Sequence, residues 1–267
     1  MYDIPALQSA LADSLFAGKL HFAPSTESTN TDAMAAARAG APHGSVWFAD
    51  EQTAGRGRGD HRWQSAAGEG LYVSVLLRPE IAAARLALLP LAAGLAAAQA
   101  IGRVAGVAID LRWPNDLLIG PRKVGGILVE SKLSSKGPPH AVAVAVVGIG
   151  INVHQRSFDP GLATPATSLD LESGARVSRQ ALLIALLKLL EREAEDLADG
   201  EAAARILSRL EQCSTWIRNR QVEVHGPQAC TGTTAGLDDH GFLCVRTGAG
   251  IVTVQTGGIR AAENAEG

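Results

Sequence analysis

The chain has 267 residues, a net charge of −3 and 46% hydrophobic residues, which suffices for the core of one large domain, alone or with a smaller one. The slightly acidic balance argues against a general affinity for nucleic acid. The cysteines (Cys213, Cys230 and Cys244) are scattered and odd in number, so they predict neither a disulfide framework nor a zinc site and favour a reducing cytoplasm. No basic segment followed by an apolar run begins the chain, and we expect no secretory signal.

Apolar periodicity and turn-forming residues predict alternating helices and strands in the first half of the chain. The predicted elements are a helix over residues 5–17, a strand beginning at 20–23, a helix over 33–39, strands over 45–52 and 70–78, a helix over 88–104 and a strand over 107–112. Segment 86–102 is uncharged, but it is short for a membrane span and contains Pro90 and Gln99. We therefore expect a buried helix in a protein that does not enter the membrane.

The second half begins with strands and helices and ends in short strands only. The pattern predicts a hairpin over 117–131, a polar loop over 132–139, a central strand from 141 to 153, irregular structure over 154–167, helices over 178–196 and 200–213, and strands over 221–225, 231–237, 242–246 and 251–255. Asp238 to Gly241 should form a hairpin turn. We expect a large domain over residues 1–213 and a small, barrel-like β domain over 214–267.

A glycine-rich stretch runs from Gln52 to Trp63 and contains the alternating sequence Gly55-Arg56-Gly57-Arg58-Gly59. Alternating glycines let the backbone approach a ligand closely. Arginine forks match the oxygens of carboxylates and phosphates. The stretch lacks the Gly-Lys-Ser/Thr of a Walker loop, and no amphipathic helix follows it as in a dinucleotide fold. It therefore favours an anion-binding loop, with a plain surface loop or a disordered RNA-binding segment as the alternatives.

Further polar clusters lie at the predicted ends of strands and helices. They are Ser28-Thr29-Asn30, Arg112-Trp113-Pro114-Asn115-Asp116, Lys123-Val124-Gly125-Gly126 and Gly148-Ile149-Gly150-Ile151-Asn152. The hydroxyls and amide of the first cluster suit a helix N-cap, which we favour, and they also suit a polar ligand at a helix N-terminus. Each cluster alone is a weak signal.

Taken together and in this order, the clusters resemble the motifs of the biotin protein ligase family. The matching stretches are Ser28-Thr29-Asn30, Gly55-Arg56-Gly57-Arg58, Trp113-Pro114-Asn115-Asp116, Lys123-Val124-Gly125-Gly126-Ile127-Leu128-Val129-Glu130 and Gly148-Ile149-Gly150-Ile151-Asn152. The resemblance spans roughly residues 20–260. It implies an α+β fold, with a catalytic domain like that of class II aminoacyl-tRNA synthetases (a mostly antiparallel sheet flanked by helices) and an SH3-like β-barrel at the C-terminus.

The resemblance also implies chemistry and residue roles. Biotin and ATP, with Mg²⁺, would form biotinyl-5′-AMP, and the biotinyl group would pass to a lysine of a biotin carboxyl carrier protein. The implied catalytic residues are Lys123, Arg56 and Arg58. The implied biotin-binding residues are Ser28, Thr29, Asn30, Gln52, Arg56, Gly57, Arg58 and Lys123. The implied nucleotide-binding residues are Arg58, Trp63, Asn115, Asp116 and Asn152, with Asp116 as a magnesium ligand and His61 and Arg62 as phosphate contacts.

Without the resemblance these residues have plainer interpretations. Lys123 would be a solvated hairpin lysine, Asp116 a turn-stabilising aspartate, and Trp63 a core anchor as readily as a wall of the site.

Two departures from the family pattern stand out. Arg112 replaces the usual lysine before Trp-Pro-Asn-Asp, and Gly59 with Asp60 makes the glycine-rich stretch less basic than in some relatives.

Other functions remain open at this level. One alternative is a lipoate or octanoate ligase or transferase, and another is a biotin-binding sensor without turnover. Only about twenty residues precede the matching region, too few for a winged helix-turn-helix, so we expect a monofunctional enzyme that does not bind DNA. Edge strands of the predicted sheet allow a homodimer.

Overall fold

The computed structural model describes residues 2–59, 61–79, 81–133, 142–197 and 200–262, so Asp60 and most of the predicted polar loop lie outside the described residues. A seven-stranded sheet occupies the first part of the chain. Its strands are β1 (Leu20–Thr26), β2 (Ser45–Gln52), β3 (Gly70–Leu77), β4 (Asp110–Arg112), β5 (Asp116–Ile119), β6 (Arg122–Leu133) and β7 (Val142–Asn152). They lie in the order β1-β2-β3-β7-β6-β5-β4, with β1 and β2 parallel and the other neighbours antiparallel.

A five-stranded antiparallel sheet follows at the C-terminal end. Its strands are β8 (Arg218–His225), β9 (Cys230–Leu237), β10 (Leu243–Thr247), β11 (Gly250–Val254) and β12 (Gly258–Ala261), in the order β11-β10-β9-β8-β12. The helices are α1 (Ile4–Ala10), α2 (Thr29–Arg38), α3 (Leu88–Ala105), α4 (Leu169–Ser173), α5 (Arg179–Asp196) and α6 (Gly200–Cys213). The predicted α+β class, with a mostly antiparallel sheet and a C-terminal β sheet, is confirmed.

Helices cover both faces of the large sheet. Every residue of β3 is buried, as expected for a central strand packed on both sides. On one face Leu76 packs in a small cluster with Ala33 of α2. On the other face Val75 and Leu77 join the main core, which also holds α3 and α5. This two-sided packing fixes the sheet and leaves its strand ends to form a site.

The apolar helix α3 is part of the main core. With the short 3₁₀ turn before it (Ala83–Ala105), it is long and apolar enough to cross a membrane by composition alone, yet 61% of its most apolar stretch is buried inside the protein. Leu88, Leu89 and Ile101 are fully buried in the core. The packing is that of a buried core helix, as the sequence predicts.

Several predicted boundaries were wrong, for local reasons. The first helix ends at Ala10 rather than at residue 17. Beyond it the Ser14 hydroxyl donates a hydrogen bond to the Leu11 carbonyl at 2.7 Å, and the Phe16 side chain is buried in the core. The strand predicted over 107–112 is confined to β4. The sequence missed α4 and β12, which are too short to show a clear period. Strand β12 is held by its pairing with β8.

The two sheets are joined by buried hydrogen bonds near β4. The indole Nε1 of Trp113 donates to the Gly241 carbonyl at 3.0 Å, and the Ser214 hydroxyl donates to the Leu111 carbonyl at 2.6 Å. Gly241 has a positive φ of 81°, and a Cβ there would lie 2.8 Å from Leu88 Cδ2. The close approach of this turn to α3 therefore favours glycine.

We expect Trp113→Phe to lower the free energy of unfolding by about 1–3 kcal/mol, because the Gly241 carbonyl loses its buried donor. Urea denaturation measures the change. The matched control is Trp47→Phe, at a half-buried ring stacked on His21 with centroids 4.7 Å apart. We expect this control to cost below about 1 kcal/mol. Equal losses in both variants would contradict a role for the Trp113 hydrogen bond.

Candidate active site

A large cavity of about 1260 Å³ lies over the central strands β3, β7 and β6 of the seven-stranded sheet. All the site residues predicted from the sequence line this one cavity. They are Ser28, Thr29, Asn30, Gln52, Arg56, Gly57, Arg58, Trp63, Asn115, Asp116, Lys123 and Asn152, together with His61 and Arg62. Residues that lie far apart in the chain are thus brought together by the strand order.

Glycines of β6 and β7 form the floor of the cavity. Gly126 of β6 lies opposite Gly150 of β7 in the antiparallel register. A Cβ at position 150 would lie 2.6 Å from Trp63 Nε1, and one at position 148 would overlap the Asn30 side-chain oxygen. The sheet therefore carries no side chains where these two residues rest on it. Trp63 lies half-buried, with Lys123 Nζ 5.6 Å from its ring centroid.

The start of α2 supplies a buried polar wall. Ser28 is the N-cap residue, but its hydroxyl makes no capping hydrogen bond, so the side-chain capping favoured from the sequence was wrong. Thr29 and Asn30 are 4% exposed and point away from the helix end. The Thr29 amide N–H donates to Gln52 Oε1 at 2.9 Å, and the Thr29 and Ser74 hydroxyls lie 2.7 Å apart. The polar atoms serve the cavity wall rather than the helix cap.

Lys123 and Arg112 share the carboxylate of Asp116. Lys123 Nζ pairs with Oδ1, and the Arg112 guanidinium donates to Oδ2 through Nε at 3.0 Å and through NH2 at 2.6 Å. Burial raises the pKa of Asp116, but the nearby Lys123 and Arg112 outweigh it, so this pKa lies below the usual aspartate value. Arg112, which departs from the family's lysine, therefore binds Asp116 through two donors of its fork.

The same contacts bear on the predicted magnesium ion. Both oxygens of Asp116 already face cations, so an ion held by this carboxylate would lie beside the positive charges of Lys123 and Arg112 and be repelled by them. Within the part of the chain that the structure describes, His, Cys, Asp and Glu side chains form no group of three that suits a metal. Magnesium prefers carboxylates and phosphates with near-octahedral geometry. The residues present do not fit an ion bound directly by Asp116.

The glycine-rich stretch folds into a narrow loop over the cavity. Two backbone hydrogen bonds join its arms. The Gly57 N–H donates to the His61 carbonyl at 2.7 Å, and the Trp63 N–H donates to the Gly55 carbonyl at 2.9 Å. Arg56 pairs with Glu130 of β6 at 2.5 Å. The loop is thus held by the sheet as well as by its own backbone.

Arg58 ties this loop to the C-terminal sheet. Its NH1 donates to the Gly257 carbonyl at 2.6 Å, in the turn between β11 and β12. Burial lowers the pKa of Arg58 below the ordinary arginine value, and nearby Asp116 opposes this shift. Arginine keeps its charge even so, because its ordinary pKa is very high. A cation is therefore held at the mouth of the cavity by a neutral carbonyl.

Two asparagines that line the cavity stabilise the backbone beside it. Asn115 Nδ2 donates to the Ile127 carbonyl at 2.8 Å, and Asn152 Nδ2 donates to the Thr167 carbonyl at 3.0 Å. These contacts hold the β4–β5 turn against β6, and the end of β7 against the following loop. An amide oxygen has two lone pairs, so both side-chain oxygens can accept from a ligand, that of Asn152 beside its 3.4 Å contact with Gln155 Nε2.

Sequence reasoning missed Ser74 and Glu130. Ser74 is a fully buried hydroxyl within the apolar strand β3. A lone polar residue in such a run was the available signal. Glu130 belongs to a stretch that matches the family, but a carboxylate is the wrong sign for an anion site, so nothing pointed to it. Nothing in the local sequence indicated that the Gly257 carbonyl would accept a hydrogen bond from Arg58.

Comparison with known proteins places this cavity in a family. Residues 22–152 match the model of the Biotin/lipoate A/B protein ligase family, and residues 219–259 match that of the biotin protein ligase C terminal domain. The biotin–[acetyl-CoA-carboxylase] ligase of Paracoccus denitrificans is 34% identical over 232 residues, which cover 84% of this chain and 93% of the relative. The bifunctional ligase/repressor BirA of Bacillus subtilis is 33% identical over 235 residues, covering 87% and 70%.

A solved structure shows the same fold. The biotin protein ligase from Aquifex aeolicus in complex with biotin and ATP matches with a TM-score of 0.77 and 29% identity, covering 91% of this chain and 98% of that one. The matched stretches contain the cavity-lining motifs of both sheets. The chain therefore belongs to the biotin protein ligase family.

Proposed function

We propose that the protein attaches biotin to a lysine of a biotin carboxyl carrier protein in two steps. In the first step the biotin carboxylate oxygen attacks the α-phosphorus of ATP, the bond to the β-phosphate oxygen breaks, and pyrophosphate leaves. In the second step the neutral lysine amine attacks the carbonyl carbon of biotinyl-5′-AMP, the carbon–oxygen bond breaks, AMP leaves, and the nitrogen loses a proton.

The observation that carries this proposal is the pairing of a polar wall with a cluster of cations in one cavity. Arg56, Arg58 and Lys123 line the same space as Ser28, Thr29 and Asn30. The first step brings a carboxylate and a triphosphate together, and their repulsion must be offset by fixed cations and N–H dipoles. The cavity is lined both by such cations and by uncharged donors and acceptors.

The polar wall suits the ring of biotin. This ring is a cyclic urea with one acceptor oxygen and two N–H donors. The hydroxyl and amide groups of Ser28, Thr29, Asn30 and Gln52 offer both kinds of partner. We assign these residues to the biotin ring and Lys123, Arg56 and Arg58 to the carboxylate and phosphate, with the backbone of Gly57 close to the ligand.

We assign Trp63, Asn115, Asp116 and Asn152 to the nucleotide side, where Trp63 forms a flat wall and Asp116 positions Lys123. The glycine-rich loop covers the mixed anhydride and keeps water from it. Magnesium stays in the proposal as the companion of the ATP phosphates, with no protein ligand assigned.

Finer features of the fold belong to the same proposal. We infer a class II synthetase-like catalytic domain over residues 1–213 and an SH3-like barrel over 214–267. The separate hydrogen-bonding of the two sheets supports this division. A cytoplasmic location is consistent with the free thiols of all three cysteines. A homodimer formed at a sheet edge stays a prediction.

The first experiment follows a biotin carboxyl carrier domain by intact mass after incubation with the protein, biotin and MgATP. We expect the carrier to gain one biotinyl group. Lys123→Ala should slow adenylate formation by about a hundredfold or more, because a cation facing the developing charge is lost. The matched control is Lys188→Ala, at an exposed lysine of α5 that should leave the rate unchanged.

Other results of this experiment identify the alternatives. Transfer of lipoyl or octanoyl to its own carrier, with no biotinylation, would indicate a lipoate or octanoate ligase or transferase. Biotin binding without pyrophosphate release would indicate a sensor. A Lys123→Ala variant as fast as the Lys188→Ala control would refute the assigned role of Lys123.

The depressed pKa of Asp116 predicts a pH-dependent stability difference. A carboxyl whose pKa is lower in the folded state stabilises that state above the unfolded value, and this contribution is lost as pH falls through the folded value. Asp116→Asn should therefore be less stable than the wild type at pH 7, and the gap should close as pH falls below about 4. Urea denaturation at both pH values measures it, and a gap that does not depend on pH would contradict the ion pairs as its cause.

A further inference from the structure

A carboxylate lies behind the polar wall of the cavity. Glu130 of β6 accepts a hydrogen bond from Asn30 Nδ2 at 2.9 Å and another from Arg56 NH2 at 2.5 Å, both at its Oε2. Asn30 and Arg56 are among the described residues that line the cavity, whereas Glu130 is not. Any effect of Glu130 on a ligand in the cavity therefore acts through these two neighbours.

The carboxylate fixes which way the Asn30 amide is turned. A carboxylate only accepts hydrogen bonds, so the group of Asn30 that faces Glu130 must be the NH2. The carbonyl Oδ1 then faces the opposite way, where it accepts from the Ser74 hydroxyl at 2.6 Å. Both Asn30 and Ser74 are buried, so water does not compete for these positions.

The orientation of the Asn30 amide also determines which of the Ser74 and Thr29 hydroxyls donates to the other. Ser74 has a single hydroxyl proton and gives it to Asn30, so in the 2.7 Å contact between the two hydroxyls Thr29 must be the donor. Gln52 Oε1 accepts from the Thr29 backbone N–H at 2.9 Å, and its 3.1 Å contact with the Thr29 hydroxyl oxygen then has no proton. In this arrangement Asn30 Oδ1 and Thr29 Oγ1 both keep lone pairs beside the cavity and act as acceptors.

The hydroxyls alone would allow the reverse arrangement. With the amide turned over, Asn30 would donate to Ser74, Ser74 to Thr29, and Thr29 to Gln52 Oε1, which lies 3.1 Å from its hydroxyl. Every hydroxyl in that relay would also be satisfied. Each arrangement leaves one oxygen pair without a proton. In the reverse it is the Asn30 oxygen against a charged Glu130 oxygen, whereas in the first it is the neutral oxygens of Thr29 and Gln52, so the reverse is the more costly. Glu130 thus selects one of two proton arrangements.

We propose that Glu130 is a positioning residue that fixes Asn30 and Thr29 of the polar wall as acceptors and thereby selects a ligand with N–H donors. The inference rests on the proposed function and deepens it. The cyclic urea of biotin carries two N–H groups, whereas an octanoyl chain or a lipoyl dithiolane carries none. A site built to bond a substrate N–H rejects analogues that lack it, because its buried acceptors would stay unpaired.

The test compares Glu130→Met with Glu130→Gln. Both variants are neutral and lose the ion pair with Arg56, but only glutamine keeps an oxygen that can face the Asn30 NH2. We expect calorimetry with biotin alone to give a Kd for Glu130→Met at least about tenfold weaker than for Glu130→Gln. Glu130→Gln should stay within about fivefold of the wild type, the cost of an exposed ion pair. The KM for MgATP should be the same in the two variants, because both lose the ion pair with Arg56.

The outcomes separate this inference from the proposed function. Equal biotin Kd values for the two variants, with a wild type that binds biotin, would overturn the role of Glu130 and leave the function intact. A wild type that binds no biotin would overturn the function itself. If Glu130→Met does not fold, Ser74→Ala cuts the same relay with the ion pair in place. An unchanged biotin Kd for Ser74→Ala would overturn the inference.

Discussion

The cavity depends on the absence of side chains along the paired strands β6 and β7. Gly126 and Gly150 face each other in the register, and Gly148 lies one step further along its face of β7. A Cβ at position 148 or 150 would collide with Asn30 or Trp63. These glycines are not needed for a turn, since they lie within regular strands. They let an amide and an indole rest directly on the sheet, and a pocket wide enough for two substrates follows from that.

A second constraint is electrostatic, since a site for two anions must hold its cations together before either anion arrives. Lys123 and Arg112 share the Asp116 carboxylate, and Arg56 pairs with Glu130. These two carboxylates offset part of the positive charge, but the cations that line the cavity outnumber them. The depressed pKa of Asp116 follows from this sharing. An incoming phosphate or carboxylate therefore has to compete with the Asp116 and Glu130 carboxylates for these cations.

Much of the fold and the membership of the site were predictable from the sequence, because the motifs carry their own chemistry. The alternating glycine and arginine of the loop indicated the site, and the strand patterns of β3 and β7 indicated the sheet. What the sequence did not show are contacts between distant segments. Ser28 is an N-cap by position but not by hydrogen bond. Ser74 and Glu130 connect three elements through side chains whose directions depend on strand register, which a single sequence does not encode locally.

The C-terminal sheet shares the cavity and contacts the glycine-rich loop through Arg58. The Gly257 carbonyl accepts from Arg58, and Gly257 has a φ of 120°, where a Cβ would overlap the His225 carbonyl. Only a glycine turn can therefore bring this carbonyl to the loop. The relative position of the two sheets is held elsewhere, by the hydrogen bond from Trp113 to Gly241. Trp113 belongs to the same short motif as Asn115 and Asp116. The segment that holds the C-terminal sheet in place therefore also positions the carboxylate that pairs with Lys123.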